Sequence, residues 1–115
     1  MRTLNDYFIT GRVADISTAG STFVAVPDGG RIIKIITCLQ GAISGGNAAI
    51  TFEIGGVAVT GAGITVAHSG SAVGTLDSSL PTALNRVEED GTIEILTDGN
   101  STGAKALDVT FIIRR

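Results

Sequence analysis

At 115 residues the chain has the length of a single domain, long enough to bury roughly two-thirds of the surface its unfolded form exposes. Charged residues make up only 17% and aromatics 4%, while 16 positions are Gly, so Ile, Val, Leu and Ala carry the apolar content, and Ile and Val favour pleated surfaces. A net charge of −3, with basic residues scattered except for the terminal Arg114-Arg115 pair, argues against a nucleic-acid-binding stripe, and the apolar runs are too short to span a membrane. So little surface charge implies that part of the surface faces a partner.

Taken in chain order, Met1 to Asp6 is polar, offers no apolar stretch for a secretory signal, and reads as a flexible arm over residues 1–6. A single sandwich domain follows over residues 7–115. Tyr7-Phe8-Ile9 is the densest aromatic pair in the chain. These rings are either interface anchors or the start of the first strand, with one ring entering the core. Turn signals then recur about every ten residues, at Pro27-Asp28-Gly29-Gly30, Ser44-Gly45-Gly46-Asn47, Gly55-Gly56, Gly61-Ala62-Gly63, Ser69-Gly70-Ser71, Asp90-Gly91 and Asp98-Gly99-Asn100. Strands are expected near residues 7–14, 22–26, 31–43, 48–54, 57–60 with 63–67, 73–77, 84–89, 92–97 and 105–114.

Several of these runs alternate with period two. Ala48, Ile50, Phe52 and Ile54 oppose Ala49, Thr51 and Glu53; Ile93 and Ile95 oppose Thr92 and Glu94; Leu107, Val109, Phe111 and Ile113 oppose Asp108, Thr110 and Arg114. Glu89-Asp90-Gly91-Thr92 carries a hairpin signal, because Asp-Gly accepts positive φ angles. Arg31 to Ile43 is apolar on both faces, with Ile32, Ile36 and Cys38 on one and Ile33, Ile35 and Leu39 on the other. A doubly apolar strand needs cover on both sides, either from a loop of the same chain or from another subunit, so Ile33, Ile35 and Leu39 are candidate subunit-interface residues. The whole pattern is all-β: a two-sheet antiparallel sandwich, jelly-roll-like, of about eight strands.

Catalytic chemistry is sparse. His68 is the sole histidine, and neither Ser69 nor Asp77 is spaced with it as a nucleophile elbow. The lone Cys38 permits no intrachain disulfide, consistent with intracellular synthesis, and amid Ile35-Ile36-Thr37 and Leu39 it reads as a small buried hydrophobe. One His and one Cys cannot build a zinc cage, and Asp98-Gly99-Asn100 lacks the further ligands of a calcium loop. Gly61-Ala62-Gly63 opens no phosphate-binding helix. The expectation is no enzyme, no metal and no cofactor.

Two segments resemble a known family. The first runs from Val26-Pro27-Asp28-Gly29-Gly30-Arg31-Ile32-Ile33-Lys34-Ile35 through Gln40-Gly41-Ala42-Ile43 to Ala48-Ala49-Ile50-Thr51-Phe52-Glu53-Ile54-Gly55-Gly56. The second is Pro81-Thr82-Ala83-Leu84-Asn85-Arg86-Val87-Glu88-Glu89-Asp90-Gly91-Thr92-Ile93-Glu94-Ile95, followed by Thr97-Asp98-Gly99-Asn100-Ser101-Thr102. Together they resemble the small β-sandwich, jelly-roll-like proteins that decorate or cement bacteriophage capsids or form head fibres. The resemblance implies a homotrimer on the outer capsid surface of a virion, made in the host cytoplasm, with no catalytic residues to carry over. Its partners would be its own copies and the major capsid protein, with no nucleic acid and no membrane. It also implies attachment through one end of the sandwich with the N-terminal segment as anchor, which makes Leu4, Tyr7 and Phe8 candidate capsid contacts. The alternative is a carbohydrate-binding sandwich module or head-fibre adhesin, disfavoured by the few aromatics available for stacking.

Overall fold

The computed structural model describes residues 5–115; Leu4 lies outside them. Among the described residues ten strands form: β1 (Asp6–Val13), β2 (Gly20–Ala25), β3 (Gly30–Leu39), β4 (Ala48–Ile54), β5 (Val57–Ala58), β6 (Ile64–Val66), β7 (Leu76–Ser79), β8 (Arg86–Val87), β9 (Thr92–Thr97) and β10 (Leu107–Arg114). They make two antiparallel sheets. One runs β1-β10-β3 with β7 and β8 both on the far side of β3, and the other runs β2-β9-β4 with β5 and β6 both on the far side of β4.

The pairing is nested. The first strand pairs with the last and the second with the last but one, while β3 pairs with β7 and β8 and β4 with β5 and β6. This is the rolled double sheet of a jelly roll. The two short-strand pairs each occupy one lateral position: β6 and β5 run along successive parts of β4, and β7 and β8 along successive parts of β3. The ten segments therefore fill the eight positions expected.

Alternation places the core as the sequence predicts. Ala48, Ile50 and Phe52 from β4, Ile93 and Ile95 from β9, and Leu107, Val109, Phe111 and Ile113 from β10 are buried between the sheets. Phe52 and Phe111 meet across the middle edge to face, with ring centres 5.6 Å apart and planes at 89°, a favoured aromatic geometry. Gly11 on β1 lets the two sheets close at that end, since a Cβ there would lie 2.4 Å from Cγ2 of Val24.

Three expectations are corrected. First, β3 does not keep a single alternation. Ile113 pairs with Ile32 and Ile112 with Lys34, leaving Ile33 in a bulge, and a bulge reverses the phase of everything beyond it. Ile32, Ile35, Thr37 and Leu39 consequently point inward and are fully buried, while Ile33, Lys34, Ile36 and Cys38 are half-buried on the outside. Ile35 and Leu39 belong to the chain's own core and are not available to another subunit; Ile33 remains on the surface. The strand ends at Leu39, though Ile43 beyond it is still buried. Second, Asp90-Gly91 turns the chain with Asp90 at φ 65° but forms no hairpin, because β8 lies in one sheet and β9 in the other. Third, β1 begins at Asp6, inside the expected arm, and the Asp6 carboxylate is only 1% exposed.

Candidate functional site

The outer face of the β1-β10-β3-β7/β8 sheet is organised in rows set by register. The first row is Asp6, Arg114, Arg31 and Arg86, and the second is Phe8, Ile112 and Lys34. Thr10, Thr110, Ile36 and Ser78 form the third, and Arg12, Asp108, Cys38 and Leu76 the fourth. Charge is thus concentrated in the two end rows, and apart from Lys34 the two middle rows carry apolar or small polar groups. Such a division into an apolar centre and a charged rim is typical of protein–protein contact surfaces.

The charges at the ends of β1 are spent on its neighbour. Arg12 donates to both carboxylate oxygens of Asp108, at 2.7 and 3.0 Å, and Arg114 to both of Asp6, at 2.8 and 3.1 Å. Two-point pairing fixes the geometry of each guanidinium. Phe8, by contrast, is 60% exposed, and Leu76 is exposed at the opposite corner.

The two candidate contact aromatics separate. Tyr7 turns inward, half-buried against the core. Its hydroxyl donates to the backbone carbonyl of Asp28 and its ring lies beneath the guanidinium of Arg115, 4.6 Å from the ring centre. Burial, with the Asp28 carboxylate second, raises the Tyr7 pKa. Tyr7 therefore locks the β1 start to the 27–30 turn, and Phe8 alone is free to meet a partner. Phe23, 63% exposed on β2, points from the outside of the other sheet, so the two rings share no platform. An open groove of about 680 Å³ runs between β1 and the 24–27 corner, lined by Phe8, Ile9, Thr10, Val24, Pro27 and Asp90 among others.

The groups considered for catalysis do not converge. The exposed His68 ring has Nδ1 2.8 Å from Oδ1 of Asn47, which also accepts the His68 backbone N–H. Ser69 and Asp77 make no hydrogen bond to the ring. Asp77 stands on β7 with its pKa raised by burial alone. Cys38 is half-buried on the outer face rather than in the core. Among the described residues, no cluster of three or more His, Cys, Asp or Glu could hold a metal ion.

Sequence reasoning missed the charged rows, because each joins residues from both halves of the chain and exists only once the register is fixed. No family model matches the chain, and no curated protein sequence is significantly similar to it.

Proposed function

We propose that the chain is a non-catalytic structural protein of a virion, a capsid decoration (cement) protein that assembles as a homotrimer and bridges capsid subunits on the outer surface of a phage-type head. The observation that supports this reading best is the outer face of the β1 sheet, which carries the exposed Phe8 and Leu76 with the half-buried Ile36 on a row between them. A face of that composition is suited to burial against another protein. Its work would be mechanical: many copies, each burying interface area, oppose outward pressure on the shell.

The test is co-sedimentation with heads of the phage that encodes the chain, stripped of decoration protein, alongside light scattering of the free chain. Saturable binding with a trimeric mass is expected. A chain that stays monomeric and leaves the heads bare overturns the reading. A carbohydrate-binding module or head-fibre adhesin is the second reading, favoured by the groove beside Phe8 with Asp90 at its rim. Glycan-array binding that disappears in Phe8→Ala would establish it.

A further inference from the structure

Among the described residues, five of the basic side chains gather at one end of one sheet. Arg114, Arg31 and Arg86 face outward in register on three adjacent strands, Arg115 follows Arg114, and Lys34 lies on the next row. Asp6 closes the row and neutralises Arg114. Arg115 is held by Asp28. Arg31 and Arg86, directly opposite one another and both exposed, have no ion-pair or hydrogen-bond partner for their guanidinium groups among the described residues. Like charges directly opposite across a strand pair are destabilising. In a chain with net charge −3, nothing in the fold requires two free arginines to be neighbours.

The backbone holds them there firmly. Asn85 clamps the approach to β8, its side-chain N–H donating to the Ile32 carbonyl at 2.7 Å while its own carbonyl accepts the Ile32 N–H at 2.9 Å. On the other side, Gly30 lets β3 run close enough to β10 to bring Arg31 beside Arg114, since a Cβ at Gly30 would stand 2.6 Å from the Arg114 carbonyl oxygen. Two guanidinium forks on rigid strands, about 5 Å apart at their Cβ atoms, are preorganised to receive carboxylates two points at a time.

We infer that the Arg31–Arg86 pair is a docking surface for an acidic protein segment. The charge pattern selects this partner over a nucleic acid. Glu88, Glu89 and Asp90, all exposed, follow directly on Arg86-Val87, so a continuous phosphate backbone extending past Arg86 would meet repulsion. A peptide can set discrete carboxylates on the two arginines and leave the acidic flank to solvent. This inference stands apart from the capsid reading, since any acidic protein segment of suitable shape would satisfy it.

The experiment titrates an alternating Glu-Ala peptide into the full chain at low salt and follows backbone amide NMR shifts. Saturable shifts are expected around residues 31, 86 and 114. The double variant Arg31→Gln/Arg86→Gln should bind at least about tenfold more weakly, and Lys105→Gln, an exposed lysine outside the row, as tightly as the parent. Since the two guanidinium groups make no ion pair or hydrogen bond among the described residues, the double variant should melt no earlier than the parent, which keeps a loss of binding from being a loss of fold. Three results each overturn the inference: no saturable binding by the parent chain, full retention of binding in the double variant, or an oligothymidylate of matched length binding as tightly as the peptide.

Discussion

Gly30 occupies a backbone position at φ +152°, and an added Cβ would lie 2.6 Å from the Arg114 carbonyl oxygen and 2.8 Å from Cγ2 of Ile113. The Arg114 carbonyl is backbone of the strand paired with β3 and cannot retreat without disturbing that ladder. Gly30→Ala is therefore expected to destabilise the chain by about 2–4 kcal/mol, read as a lower urea midpoint at unchanged slope. Acid should act at two carboxylates on the same scale. Asp15 accepts from the side chain and backbone of Ser17, then from Thr18, and these bonds hold its pKa below the usual carboxylate value. The Arg115 guanidinium, followed by the Gly29 N–H, does the same for Asp28. A depressed folded-state pKa contributes stability that is present above the unfolded value, near about 4, and is lost as pH falls through the folded one. Melting temperature should accordingly fall below pH about 4, with a shallower fall in Asp15→Asn and Asp28→Asn than in the parent.

At the scale of the strand, β3 separates two residues that its sequence places on one face. Ile35 is fully buried between the sheets, whereas Ile33 sits half-buried in the outward bulge. Ile35→Asp should fail to fold, because an unpaired charge in the core costs several kcal/mol. Ile33→Asp should remain folded by circular dichroism; if the outer face joins copies, it should also shift light scattering toward a smaller species. An oligomer unaffected by Ile33→Asp would remove that face from the interface. The same strand marks the limit of what the chain's pattern reveals. Alternation was legible in β4, β9 and β10 because each keeps one phase from end to end. In β3 it was not, since a bulge is decided by how Ile112 and Ile113 meet their partners across the ladder, and no run of residues within β3 encodes that. Asp90-Gly91 teaches the same lesson for turns: its chemistry fixes a positive φ, while the sheet that the next strand joins depends on Val26, which exchanges hydrogen bonds with Asp90 and Gly91. The arginine row was invisible for a related reason, as it unites residues 6, 31, 86 and 114 only through three successive registers.

For the molecule as a whole, nested pairing means that the outermost ladder, β1 on β10, joins the most distant parts of the chain. Non-local pairing of this kind slows folding, typically to milliseconds or seconds, and the short connections within the β4–β6 region close at least entropic cost. The outermost ladder also has a direction. Asp6 pairs with Arg114, and the Arg115 N–H donates to the Asn5 carbonyl at 3.2 Å, so the two ends of the described residues, Asn5 and Arg115, lie at the same pole. A tether pulling those two ends apart loads the β1–β10 hydrogen bonds one at a time, like a zip. A load spread over the outer face of the sheet meets all the rungs together. Stretched between its ends in an optical trap, the molecule should open at markedly lower force than when it is held through cysteines placed at opposite ends of the β1–β10 pair, where the strands must slide in shear. If it serves a shell under pressure, it must be gripped by its face; held by its ends, it would peel.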